Sequence, residues 1–288
     1  MDPVLVQLLI NGVALGSIIA LAAVGLTLTY GILRLPNFAH GDFLTLGAYL
    51  TLVFRLSGLN IWLCMVLGAL GTIVVALMIE GVVWKPMRDR RATSTTLIII
   101  SIGLALFLRN GIILLWGGAN QDYGLSVSAP IIIGDIRIKF YNLLVFALAI
   151  AAIGGLHLLL RYTKIGKAMR AVADNIDLAR VSGIDVERIV IWTWVIAAGL
   201  TALGGGMYGL ITAVRPNMGW FLVIPMFASV ILGGIGNPYG AIAGAFVIGI
   251  TQEVSTYWLP SEYKIAVALL LMVGVLFVKP QGLFRGTM

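Results

Sequence analysis

The chain has 288 residues, 60% of them hydrophobic and 11% charged, with a mean hydropathy of +1.04. A soluble domain is usually about 25% charged, so a soluble enzyme of this size is excluded and one membrane-embedded helical domain, residues 1–288, remains. A net charge of +7 then reads as the basic bias of membrane loops rather than as a nucleic-acid partner, and a single Cys64 excludes a disulfide framework or a cysteine-built metal site.

Nine apolar segments follow one another, at residues 4–33, 38–56, 61–84, 95–116, 141–160, 189–212, 221–236, 239–258 and 265–278. The expected fold is all-α, a polytopic transmembrane bundle of eight to ten spans. The first segment is longer than a bilayer requires and carries Gly12, Gly16, Gly25 and Gly31, so a broken or strongly tilted helix is expected there.

The second opens at Pro36-Asn37-Phe38-Ala39-His40-Gly41-Asp42. Asn37 suits a helix N-cap, and the Asp42 carboxylate complements the helix dipole. Equally open is a reading in which Asn37, His40 and Asp42 line the inner part of a conduit, because ionisable groups within a span face the bundle interior or water. Glu80 lies about one turn inside the end of the third segment, at a level that Asp42 and Glu80 share with Arg34 or Lys85. Cys64 and His157 sit in apolar helices as packing residues, and Thr27, Thr29 and Ser101 can satisfy their own helix carbonyls.

In the fourth segment Arg109 precedes Trp116 by seven residues, about 10 Å of helix. Glu253 precedes Trp258 by five, about 7.5 Å. A membrane-buried arginine needs a partner or water, so the two are expected to pair, as a clamp between helices or as the lining of an outer vestibule.

Between the fifth and sixth segments, the loop 161–188 contains Gly166, Lys167, Met169, Arg170, Val172, Ala173, Asp174, Ile176, Asp177, Arg180 and Gly183. Met169, Val172, Ala173, Ile176 and Ala179 recur at helical spacing, with the charges away from that stripe and Gly183 as a stop. So short a helix needs a host. The membrane interface, the protein's own helix ends and a groove on a cytoplasmic partner all remain open.

The seventh segment is short and ends in a backbone break, Gly233, Gly234, Gly236 and Pro238, expected to be re-entrant or to expose backbone to a solute. Gly204, Gly205, Gly206 and Gly209, with the ladder Gly236, Gly240 and Gly244, allow close helix contact. Arg34-Leu35-Pro36-Asn37 echoes Arg215-Pro216-Asn217 across five crossings, which would place the copies in opposite orientations; a match this short is of the length chance produces.

Alternating the nine segments places thirteen Lys and Arg on one side: Arg34, Lys85, Arg88, Arg90, Arg91, Arg161, Lys164, Lys167, Arg170, Arg180, Arg188, Lys279 and Arg285. Five fall on the other: Arg55, Arg137, Lys139, Arg215 and Lys264. The richer side is expected to be cytoplasmic, with the N-terminus outside and the C-terminus inside. All seven Trp fall near segment ends, as an interfacial belt requires.

No Walker A, Gly-x-Ser-x-Gly or His-Glu-x-x-His pattern is present, so enzymatic, nucleotide-hydrolysing and metal-site readings have no signature. Three strings carry a resemblance: Asn37 to Tyr49 (NFAHGDFLTLGAY), Gly166 to Val172 (GKAMRAV) and Val230 to Asn237 (VILGGIGN). In this order and spacing the chain resembles LivH-type permeases of branched-chain and neutral amino acid ABC importers. The resemblance implies a bacterial inner-membrane subunit with no cofactor of its own. It implies a second homologous permease of LivM type, two cytoplasmic ATPases that bind ATP and Mg, and an extracytoplasmic amino-acid-binding protein. On that pattern residues 166–183 are the coupling helix and transport is by alternating access; Arg215 and Lys264 either meet acidic patches of the binding protein or are solvated charges, two equally good readings. The alternatives are a stand-alone secondary transporter or channel for a small polar solute, and an integral-membrane enzyme.

Overall fold

The computed structural model describes residues 2–125, 129–133 and 136–284; Arg285, counted above for sidedness, lies outside them. The protein is a polytopic helical membrane protein. Among the described residues six helical stretches have the length and composition of a membrane span: Pro3–Leu33, Ile61–Asp89, Ser94–Trp116, Phe140–Tyr162, Val186–Ile211 and Ser261–Val278. Three further apolar helices are short, with 16 to 18 residues: His40–Leu56, Met218–Gly233 and Pro238–Ser255.

In chain order these are α1 (Pro3–Leu33), α2 (His40–Leu56), α3 (Ile61–Ile79), a π-helical turn (Glu80–Trp84), α4 (Lys85–Asp89) and α5 (Ser94–Trp116). A small hairpin, β1 (Ile131–Ile133) and β2 (Ile136–Ile138), pairs Ile132 with Arg137 and precedes α6 (Phe140–Tyr162). Then come α7 (Lys164–Asp174), α8 (Ile176–Val181), α9 (Val186–Ile211), α10 (Met218–Gly233), α11 (Pro238–Ser255) and α12 (Lys264–Val278).

The first helix is unbroken. Asp2 accepts the Val4 N–H, Pro3 takes the first turn, and the helix ends where Arg34 turns left-handed at φ 52°. Its 31 residues span about 46 Å, so it tilts or projects past a hydrocarbon layer of about 30 Å. Every residue from Ser17 to Thr29 is buried, which explains its all-round apolarity: it is the central post of the bundle and not an amphipathic surface helix.

Around this post the helices form two matching sets. Helix α1 packs on α9, and α2 on α10; α3 rests on α2 and α9 much as α11 rests on α10 and α1, and α5 meets α2 as α12 meets α10. Both central pairs are antiparallel: Gly25 lies on Ala197 and Thr201 while Gly204 lies on Ile18 and Leu21, and Gly41 touches Val223 while Gly219 touches Thr45. The Thr51 hydroxyl donates to Gly47 O on α2 opposite Gly68 of α3. Correspondingly, the Ser229 hydroxyl donates to Pro225 O on α10 opposite Gly244 of α11. The brief Arg-Pro-Asn echo therefore marks an inverted internal repeat, the arrangement known from transporters.

Two expectations fail here. Trp84 and Trp194 are buried and stack with centroids 6.5 Å apart. They are core residues and not part of an interfacial belt, because the α3 extension and the start of α9 lie against each other. His157 is not a packing residue: its Nδ1 shares a 2.8 Å hydrogen bond with the Tyr239 hydroxyl, tying α6 to the start of α11.

Candidate functional site

The half-length helices α2 and α10 begin inside the bundle. His40, the first residue of α2, reaches the carbonyl of Ala22 at 2.9 Å. Ala22 lies twelve residues, about 18 Å, before Arg34. Non-helical chain advances about 3.3 Å per residue against 1.5 Å in a helix, so the short link after Arg34 carries the chain back to that depth. The backbone groups exposed on the way are satisfied locally. Asn37 Oδ1 accepts the Ala39 N–H at 3.1 Å, Asn37 O accepts that of His40, and Ser101 Oγ accepts that of Phe38 at 3.2 Å. Asn37 thus caps the turn before the helix, not α2 itself, whose N-cap is Ala39.

Where α2 and α10 meet, the Gly41 and Gly219 backbones touch. A Cβ on Gly219 would fall 1.8 Å from Gly41 O, and one on Gly41 would fall 2.3 Å from Gly219 O. Thr45 Oγ1 takes the Gly219 N–H at 3.0 Å. His40 locks the same level to α9. The Thr201 hydroxyl donates to Ala197 O at 2.7 Å, leaving its oxygen to accept. The N–H of His40 must therefore be on Nε2, shared between Ala22 O and Thr201 Oγ1 at 2.8 Å. His40 Nδ1 and Asn37 Nδ2 are buried without a partner among the described residues, positions suited to buried water.

The ion pair at this junction differs from the expected one. Asp42, 1% exposed, receives both Arg109 Nε at 3.2 Å and Nη2 at 3.3 Å. The guanidinium, on a side chain 14% exposed, lies 4.6 Å over the Trp220 ring. One side chain of α5 thereby joins the starts of α2 and α10. Arg109 does not pair with Glu253, which instead meets Lys264 Nζ at 2.6 Å. Depth along the helix does not decide partners here: α5 packs on α2, whereas α11 packs on α1, α10 and α12. Beside Trp220, the partly exposed Ile224, Phe227 and Ile231 continue one stripe of α10, and Phe38 packs on Phe227 at 4.8 Å. The junction therefore opens onto an apolar face formed by α5 and α10, with the Arg109–Asp42 pair at its edge.

Glu80 is held by a partner that its sequence position did not indicate. It opens the π turn, and with Trp84 and Arg88 it forms one stripe along the continuous helix. Its carboxylate takes a hydrogen bond from Arg88, not Arg34 or Lys85. Arg88 also lies 3.8 Å from Glu187, and Lys85 lies 3.9 Å from the same carboxylate. This network ties the end of the third span to the start of α9. Asp42 and Glu80 consequently belong to separate ion-pair networks.

The loop after α6 forms two helices, not one. Asn175 breaks the run with extended backbone, and its side chain accepts the Asp177 and Leu178 N–H groups to start α8. Gly166 packs against the carbonyls of Leu159 and Leu160, and Gly183 ends the pair at φ 83°. Met169 and Val172, each 2% exposed, and Ala179 are buried within a cluster built from α1, α6 and α9. That part of the stripe is hosted by the protein's own helix ends. The outward apolar residues are Ile176, Leu178 and Val181, at 39%, 63% and 85% exposure. Lys167, Arg170, Asp174, Asp177 and Arg180 are exposed around them.

At the backbone break, Gly234 adopts φ 104° and Gly236 φ 87°. The Gly236 N–H is held by Thr27 Oγ1 at 3.1 Å, and Asn237 caps α11 through the Tyr239 and Gly240 N–H groups. The break is a tight hairpin between α10 and α11, whose Gly233 and Gly240 backbones touch. The interior entry of α10 lies at its other end, near Asn217.

Residue patterning alone did not single out Trp220, Thr201, Gly219 or Arg88. The second copy of the Arg-Pro-Asn echo, which immediately precedes Met218-Gly219-Trp220, was the available signal for two of these.

Comparison with known proteins places the chain. A family profile described as "Branched-chain amino acid transport system / permease component" matches residues 8–276. The LivH high-affinity branched-chain amino acid permease of Salmonella typhimurium is 31% identical, over 96% of this chain and 94% of its own. The BraD permease of Pseudomonas aeruginosa is 28% identical over the same shares. The probable LivH permease of Methanocaldococcus jannaschii is 30% identical, over 96% of this chain and 91% of its own. No solved structure matches. The chain belongs to the branched-chain amino acid transport permease family, as a LivH-type permease, and is a transport subunit.

Proposed function

We propose that this permease is the membrane-spanning subunit of an ATP-binding cassette importer that carries branched-chain or other neutral amino acids across a bacterial inner membrane. It works with a LivM-type companion permease, an extracytoplasmic binding protein and two ATPase subunits that hold ATP and Mg. The N-terminus lies outside, and the α7–α8 loop faces the cytoplasm.

The observation that carries this reading is the interior junction, where α2 and α10 start mid-bundle and the Asp42–Arg109 pair sits at the edge of an apolar face. An aliphatic zwitterion needs such a route. A matched ion pair leaves no net charge to trap either end of the substrate, while Trp220, Ile224 and Phe227 suit its side chain. The companion permease completes the conduit on the α5–α10 face.

Coupling follows from the two-helix loop. Leu178 and Val181 insert into the ATPase, and closure of the ATPases displaces α7. Met169 and Val172 pass that displacement to α1, α6 and α9, and the His40 bonds connect α1 and α9 to the start of α2. Alternating access is then a relative movement of the two inverted halves about the Gly41–Gly219 contact.

Reconstitution tests the proposal. Proteoliposomes holding the complete assembly should take up labelled leucine only with ATP inside and binding protein outside. Ion-driven leucine flux through this chain alone would instead establish a secondary transporter.

A further inference from the structure

Beside α7 lies a cavity of about 650 Å³, walled by α1, the ends of α6 and α7, and the start of α11. Its deep wall, formed by the buried residues Leu28, Ile32 and Leu160, is apolar. Its rim carries Arg161, Arg170, Asp174 and Tyr239. Neither arginine is ion-paired among the described residues, so the cavity holds two cations against one carboxylate. Arg170 donates to the carbonyl of Leu160, which fixes its guanidinium at the end of α6 and leaves its remaining N–H groups available. Arg161 stacks on the exposed Tyr162 ring at 5.5 Å. Tyr239, also in the lining, is bonded to His157 and so ties the start of α11 to α6 beside the cavity.

We infer that this cavity binds the phosphodiester headgroup of an anionic membrane phospholipid. Guanidinium groups match phosphate oxygens in geometry and charge, and basic pockets between helices at a membrane surface are known lipid headgroup sites. The apolar deep wall favours a lipid over free phosphate, because an acyl chain covers it and an inorganic ion leaves it bare. The cavity lies at the ends of two long spans, α1 and α6, beside the Tyr162 and Tyr239 rings, a setting that suits a headgroup at a membrane surface. Since α7 forms one wall, a bound headgroup joins the coupling loop to α6 and α11 and stiffens its seat. The inference requires only that the chain is embedded in a membrane, so its failure leaves the transport reading untouched.

Binding of short-chain phosphatidylglycerol to the intact transporter in maltoside micelles tests it, with phosphatidylcholine, glycerol phosphate and inorganic phosphate as parallel probes. Phosphatidylglycerol should bind and weaken with salt. The R161Q/R170Q variant should bind roughly ten-fold or more weakly, and R161K/R170K should recover most of the loss. R161Q alone removes no backbone hydrogen bond, so it should elute as native protein and still lose affinity. The inference is overturned if R161Q/R170Q binds as tightly as the native protein, if phosphatidylcholine binds equally, or if inorganic phosphate binds as well as the lipid.

Discussion

Replacing Arg109 by Gln leaves Asp42, 1% exposed, as a charge without its bidentate partner. Removing one member of a buried pair costs about 3–5 kcal/mol. Because the Arg109 side chain is 14% exposed and borders the open face, the expected loss is at the low end, about 3 kcal/mol. The loss of stacking on Trp220 contributes about 0.5–1 kcal/mol of it. D42N/R109Q removes both charges and keeps two amide groups able to bond, so its cost should be near 1 kcal/mol, well below the sum of the single variants. The expected coupling of about 2 kcal/mol or more is read from a double-mutant cycle on reversible unfolding in mixed micelles. The swapped pair D42R/R109D should not recover stability, because it sets a cation in the first turn of α2, against the helix dipole. Additive costs in the cycle, or R109Q costing less than 0.5 kcal/mol, would refute the reasoning.

Three further outcomes are expected. Substituting G219A places a Cβ 1.8 Å from the Gly41 carbonyl, so this variant and G41A should lose monodisperse protein on gel filtration, at about 1–3 kcal/mol or more. The variant G103A, whose Cβ meets nothing within 4 Å, should behave as native. L178D/V181D should keep the fold and lose ATPase co-purification, whereas M169D should lose the fold itself. T201V removes one acceptor from the His40 N–H and the donor to Ala197 O, and should cost about 1–2 kcal/mol in the same unfolding assay.

Some of the connections between helices obey the same burial logic. Tyr123, from the segment after α5, is buried with its hydroxyl donating to Ala48 O at 3.3 Å, and burial pushes its phenol pKa up. The Gly209 backbone lies against this ring, which is why a side chain there would collide. Arg55 donates to the carbonyls of Tyr123 and Leu59. A basic residue counted only for sidedness thus also fastens a loop to α2.

Composition and periodicity alone determined the membrane, the helical class, the succession of apolar segments and the amphipathic loop. Each is a local property: hydropathy is summed over a window, and a helical stripe recurs within a few turns. The resemblance of three short strings placed the family, because order and spacing survive when most residues change. Partnership was not legible. Arg109 and Glu253 stand at similar distances from the Trp that ends their segments, yet the packing of α5 on α2 and of α11 on α10 sends them to Asp42 and Lys264. Met169 and Ile176 lie on one apolar stripe in sequence, but Asn175 breaks the helix between them, so one is buried and the other is 39% exposed. Only the tertiary structure decided these matters. Six residues of irregular chain move the start of α2 deep into the bundle, a displacement that rise per residue along a helix cannot foretell. The inverted repeat, too faint in its Arg-Pro-Asn echo to stand on letters, is established by which backbones touch.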